Sequence, residues 1–157
     1  MMRAKPIPET HRSVAPYLIV ESADRAIDFY KTSFGAIELV RLIDGSGKVQ
    51  HAELLIGSAR LMLADEFPEM GYRSPKTLGG TPVSLLVYVA DVDAFFANAV
   101  AGGATELVAP ADTFDGDRRG TLTDPFRHVW LLATKQEDIS YDELRRRFAR
   151  LIAQGSG

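Results

Sequence analysis

Six residues recur almost unchanged in this chain. Gly35-Ala36-Ile37-Glu38-Leu39-Val40 returns as Gly103-Ala104-Thr105-Glu106-Leu107-Val108, a spacing of about 68 positions. Each copy occupies the same place in a longer grammar, running from an apolar strand through an amphipathic helix and a glycine stop into a second strand. A repeat of this length marks one supersecondary unit used twice. Residues 15–40 and 83–108 are the two copies.

Read in order, the first unit predicts a strand at 15–20 and a helix at 25–34 with Ala26, Ile27, Phe29, Tyr30 and Phe34 on one stripe. Residues 21–24 offer capping oxygens before that helix, and Gly35 suits the left-handed position just past its end. Strands follow at 37–43, 48–56 and 60–64, with Asp44-Gly45-Ser46-Gly47 as a hairpin turn. The second unit repeats the order, with a strand at 83–89, a helix at 91–101 and strands at 105–110, 121–123 and 128–133. A polar turn region at 111–120 separates the third and fourth of these elements. The chain therefore reads as α+β, with tandem βαβββ modules at 14–66 and 82–135 in one domain. Residues 1–13 are a polar N-terminal arm, and 136–157 are a C-terminal helix and tail. The intervening 67–81 stretch is rich in Gly and Pro yet carries Phe67, Met70, Tyr72 and Leu78, so it is either a lid or partner contact or a plain connector.

Composition narrows the functional classes. With no cysteine, disulfides, thiol catalysis and thiolate metal sites are excluded. A net charge of -3 gives no general attraction to nucleic acid or membranes, and no apolar run approaches the roughly 20 residues of a spanning helix. The arm lacks the apolar core of a signal peptide, so a cytoplasmic protein is expected. Ser140-Tyr141-Asp142-Glu143 forms a capping-box pattern ahead of a helix with Leu144, Phe148, Leu151 and Ile152 on one face. Its arginines (Arg145, Arg146, Arg147 and Arg150) read as a solvated face rather than a nucleic-acid site, since no aromatic or glycine motif accompanies them.

Two tandem βαβββ modules resemble the vicinal oxygen chelate superfamily, which includes glyoxalase I, the bleomycin- and fosfomycin-resistance proteins and the extradiol dioxygenases. More narrowly, Ala26-Ile27-Asp28-Phe29-Tyr30, Phe34-Gly35-Ala36, His51-Ala52-Glu53-Leu54, Gly80-Thr81-Pro82-Val83-Ser84, Tyr88-Val89-Ala90-Asp91-Val92-Asp93, Gly116-Asp117-Arg118 and Asp124-Pro125-Phe126 resemble the PhnB-like glyoxalase/bleomycin-resistance proteins. The resemblance implies curved mixed sheets around a cavity, and a homodimer. It also implies a divalent metal held by inward side chains of the first and last strands of each module. Those positions fall here at Ala15 or Pro16, Met62 or Leu63, Ser84 and Leu131. At the repeat spacing Pro16 pairs with Ser84 and Leu63 with Leu131. None is a good ligand, so no metal site is expected there and no cofactor is assigned.

The remaining polar candidates are few. His51 and Glu53 alternate on one strand and share a face. If that face lines the cavity they suit ligand binding or acid–base work; if it faces outward they are satisfied by neighbours. Arg119 is the repeat partner of His51 and could recognise a carboxylate or phosphate, or simply pair with a nearby Asp. His128 is expected to be structural; Arg127, in the place where PhnB-like proteins carry Gly before this His, points to a strained or rebuilt turn. Tyr88 is expected on the cavity side with Ser84 and Leu86, and Trp130 on the opposite, core side. The leading expectation is a metal-free protein binding a small, partly apolar molecule in a cavity lined by Leu18, Leu63, Leu86, Tyr88 and Leu131 with Ser84 and Arg119 nearby. The alternative is an enzyme of lyase, isomerase or dioxygenase type using a shifted site around His51 and Glu53, with or without a divalent metal. A third class, a scaffold whose sheets merely build a dimer, stays open. Neither nucleic acid nor membrane is an expected partner.

Overall fold

The computed structural model describes residues 6–11 and 13–155; residues 1–5 and 12 of the arm and 156–157 of the tail lie outside the described residues. The chain divides between Thr81 and Pro82 into two compact units, each built on one four-stranded mixed sheet with a helix on one face.

In the first unit β1 (Tyr17–Val20) leads into α1 (Ala23–Phe34), followed by β2 (Ile37–Ile43), β3 (Val49–Ile56) and β4 (Ala59–Asp65). The sheet order is β1-β4-β3-β2, with β1 parallel to β4 and the other pairs antiparallel. Ala26, Ile27, Tyr30 and Phe34 are buried as their helical spacing requires. Gly35 takes φ 64 at the helix end, the left-handed geometry expected of it. The start of α1 is capped from a distance. Ser22 makes no side-chain cap; the Ala23 N–H donates instead to Asp65 Oδ1 at 2.7 Å. Asp65 Oδ2 also accepts the Val49 N–H at 2.7 Å, so one buried carboxylate fastens the helix start, the start of β3 and the end of β4.

Residues 66–78 are ordered rather than a bare connector. A 3-10 turn at Pro68–Met70 lies inside a small loop closed by the reciprocal Phe67–Tyr72 backbone bonds (2.8 and 3.1 Å). The short helix α2 (Pro75–Leu78) follows. Glu66 holds the segment down by accepting the Ser74 N–H at 2.9 Å and the Thr77 hydroxyl at 2.7 Å.

The second unit runs β5 (Ser84–Tyr88), α3 (Val92–Ala101), β6 (Thr105–Asp112), β7 (Asp117–Thr123), β8 (Val129–Lys135) and α4 (Tyr141–Gly155), in sheet order β5-β8-β7-β6. Asp91 caps α3 through Ala94 N–H, and Val92 N–H donates to Thr134 Oγ1 at 2.8 Å, in the place Asp65 fills in the first unit. Gly120 has no room for a side chain: a Cβ there would stand 2.9 Å from the Phe96 ring, so the glycine lets α3 close onto β7. The long polar turn expected at 111–120 is in fact only residues 113–116. The charged residues 117–119 belong to β7 because their charges are paired across the sheet faces, Arg118 with Asp93 on α3 and Arg119 with Asp117 on the other side. In α4 Ser140 Oγ accepts the Glu143 N–H, while the Glu143 carboxylate pairs with Arg146, Arg147 and Arg150 instead of returning to Ser140.

Strand pairing corrects two expected cavity residues. Leu63 stands opposite Leu18 on β1 and Ala52 on β3, and all three are buried beneath α1, with Leu63 0% exposed. Met62, opposite Glu53, is the counterpart of Leu131, opposite Thr121. The spacing between the units is therefore one residue longer at β4 than at β3, because the β3–β4 turn is shorter: four residues (56–59) separate Leu55 from Arg60, against five (124–128) between Thr123 and Val129. A one-residue slip turns every side chain of a strand to its other face. Leu18 and Leu63 are thus core, and Leu63 is not a ligand-binding residue.

In the turn after β7, Asp124 accepts the N–H groups of Phe126 and His128 and the Trp130 indole N–H (2.8, 3.0 and 2.8 Å). Trp130 is 2% exposed and on the helix side, as expected. Arg127 adopts φ 69, the one left-handed non-glycine among the described residues.

Two stability measurements follow. Leu63→Ala is expected to cost about 2–5 kcal/mol in chemical denaturation, and Met62→Ala about 1 kcal/mol or less; equal losses would contradict this register. Arg127→Gly is expected to raise stability by about 1 kcal/mol by relieving the left-handed backbone.

Candidate functional site

On the face of the first sheet away from α1 lie Tyr17 and Ile19 of β1, Met62 and Ala64 of β4, and His51 and Glu53 of β3. Tyr17, Ile19 and Ala64, with Phe67, Met70 and Tyr72 from the ordered loop, line a cavity of about 340 Å³. That volume is within the usual range for small-molecule sites, as is a wall made mainly of apolar and aromatic groups. The loop is therefore part of the cavity wall.

His51 and Glu53 sit beside this cavity and are joined to it through Tyr17. The Tyr17 hydroxyl meets His51 Nδ1 at 2.8 Å, and His51 Nε2 meets Glu53 Oε1 at 3.2 Å. The other Glu53 oxygen is paired with Arg60 and stands 3.7 Å from His11 Nε2. Arg60 and His11 line a second cavity of about 420 Å³ together with Glu9 and Pro16. The hydrogen bond from His51, then the hydrogen bond and charge of Arg60, hold the Glu53 carboxyl below its ordinary range. Burial, then the neighbouring Tyr72 and Glu53, push the Tyr17 phenol up. The period-2 argument put His51 and Glu53 together; Tyr17 and Arg60 were missed, because only strand pairing sets β4 against β3 with β1 on the far side of β4.

The second sheet carries a different network on its face away from α3. Ser84, Leu86 and Tyr88 of β5 share this face with Leu131 of β8 and Arg119 of β7. Tyr88 donates to Asp117 Oδ2 at 2.9 Å, and Arg119 Nη2 donates to Asp117 Oδ2 at 2.8 Å and to Asp115 Oδ2 at 2.6 Å. Asp117 is 1% exposed. Its hydrogen bond raises the Tyr88 phenol above the ordinary value. Arg119 is thus engaged with two carboxylates, whereas Ser84, Leu86 and Tyr88 remain exposed. His128 contributes its backbone to the Asp124 turn, in keeping with a structural part.

The model of the Glyoxalase/Bleomycin resistance protein/Dioxygenase superfamily matches residues 12–132. The chain belongs to that superfamily. A protein of Mycobacterium bovis, Mb0911c, is 42% identical over 148 residues, covering 92% of this chain and 95% of its own. Among solved structures, TioX from Micromonospora sp. ML1 is 26% identical with a TM-score of 0.62, over 82% of this chain and 100% of its own. The PhnB protein of Bacillus cereus, 19% identical over 78% of this chain and 99% of its own with a TM-score of 0.62, shares the fold.

The metal that the superfamily resemblance implies does not fit the residues present. Met62, Ser84 and Leu131 occupy the first- and last-strand positions on the uncovered faces, and none suits a hard or borderline cation. Among the described residues no group of three or more His, Asp or Glu side chains could hold a metal ion. Both ring nitrogens of His51 are already hydrogen-bonded. No helix among the described residues is long and apolar enough to cross a membrane.

The depressed carboxyls set the acid response. Glu53 and Glu66, the latter lowered chiefly by the Ser74 N–H, contribute stability that is present above the unfolded carboxylate pKa of about 4.3 and is lost as pH falls through their lower folded values. Thermal melts from pH 7 to pH 3 are expected to show that loss. Glu53→Gln should melt lower at pH 7 and lose less on acidification; an unchanged pH slope would count against the network.

Proposed function

We propose that this protein binds a small, partly apolar and flat molecule without a resident metal, in the cavity that Tyr17, Ile19 and Ala64 form with Phe67, Met70 and Tyr72. The observation that carries this reading is that cavity, walled mainly by aromatic and apolar side chains, with Gln50 and Asp65 also in the lining, and by a loop pinned in place through Glu66. The chemistry of the donor set on the sheets supports the metal-free part. The uncovered face of the second unit, with Ser84, Leu86 and Leu131 and the Tyr88–Asp117–Arg119 network, is a further candidate surface taken by itself. A homodimer working in the cytoplasm accords with the reading; the exposed apolar side chains of β2, such as Ile37 (62%) and Ile43 (54%), support a partner contact there.

A second reading is acid–base catalysis, in which His51 and Glu53 act through Tyr17. The continuous hydrogen-bond path from Tyr17 to Glu53 favours it.

In a thermal-shift series, flat aromatic compounds at about 100 times Kd should add about 2.7 kcal/mol of stability. Tyr72→Ala and Met70→Ala should remove most of that shift while Zn, Mn and Ni ions produce none. Stoichiometric metal in the purified protein, or ligand shifts unchanged in both variants, would overturn the proposal.

A further inference from the structure

One polar group lining the cavity, Tyr17, has a defined hydrogen-bonding sense, and it follows from the order of groups behind it. Glu53 is an ionised carboxylate between Arg60 and His11 and can only accept hydrogen bonds. The nitrogen of His51 that faces it, Nε2, therefore carries a proton. In the neutral imidazole the other nitrogen, Nδ1, is then bare and must accept. Tyr17 stands 2.8 Å from that Nδ1 and spends its one hydroxyl proton on it. What remains on the Tyr17 oxygen is acceptor capacity alone.

We infer that the first unit holds a site for flat aromatic ligands bearing a hydrogen-bond donor, a phenolic hydroxyl or a ring N–H, which is received by the Tyr17 oxygen while Phe67, Met70, Tyr72 and Ile19 cover the ring. This rests on the cavity proposed above and adds the class of ligand. Tyr17 lines the cavity together with Tyr72 and Phe67, and its hydroxyl is held in place by His51. His51 and Glu53 do not line it. They are positioning residues that fix the direction of the Tyr17 bond. A ligand offering only a carbonyl at this point would meet lone pair against lone pair, which leaves a polar group unpaired.

The test is calorimetric titration at pH 8, above the ordinary imidazole range, with 2-naphthol and with 2-methoxynaphthalene, its analogue lacking the donor. Wild-type protein should bind 2-naphthol about five-fold tighter than the ether, the worth of one net hydrogen bond. Tyr17→Phe should bind both with a ratio near one; the bulk of the methyl group is common to both proteins and cancels in the comparison. His51→Ala frees the Tyr17 proton, and should shift preference toward 2-acetylnaphthalene, an acceptor, over 2-naphthol. Equal binding of 2-naphthol and its ether by the wild type, or an undiminished ratio in Tyr17→Phe, would overturn this inference while leaving the cavity intact. Binding of none of the three compounds at millimolar concentration would overturn the cavity reading and this inference with it.

Discussion

The position of β4 governs everything described for the first unit. It lies parallel to β1 and antiparallel to β3, and the single residue Leu63 stands opposite Leu18 on one side and Ala52 on the other. Burying those three side chains under α1 removes apolar surface from water at about 25 cal/mol per Å². A strand alternates, so the same choice turns Met62, Glu53 and Tyr17 to the other face. Core and site are two sides of one register, and neither can change without the other.

Buried carboxylates hold that register at its ends. Asp65 joins the start of α1 to the start of β3 through two backbone N–H groups. Asp124 does comparable work after β7, gathering two backbone N–H groups and the Trp130 indole. Each replaces the hydration of a charged group with short, charge-assisted bonds. The site carboxylates work otherwise. On the uncovered faces Glu53 is paired with Arg60 and His51, and Asp117 with Arg119 and the Tyr88 phenol, so their charge is balanced by neighbouring side chains.

The two units have diverged along the same template. Where the first carries His51, the second carries Arg119, and both lie on the face away from their helix. Where the first places a phenol against an imidazole, the second places Tyr88 against a buried carboxylate. The ordered loop over β1 belongs to the first unit alone in sequence, and it is this loop that gives the first sheet an aromatic wall. A duplicated frame thus carries a built pocket on one sheet and an ion-paired surface on the other.

The repeat itself, the βαβββ order, the bounds of β2 and the pairing of His51 with Glu53 on one face were all legible in the chain, because each follows from local periodicity and from glycines that end helices. The inward position at β4 was not. A uniform repeat spacing selected Leu63 over Met62, and the shorter turn between β3 and β4 shifts that strand by one residue. The cap of α1 was not legible either, since its oxygen arrives from Asp65, 42 residues along the chain. Local sequence determined most of the strands and helices through propensity and period, but not residues 117–120, which read as turn and are strand, nor the short helix at Pro75–Leu78. Only the tertiary structure decided which face each strand shows and brought Tyr17 and Arg60 to the pair, because strand register depends on turn lengths and on contacts between residues far apart in the chain.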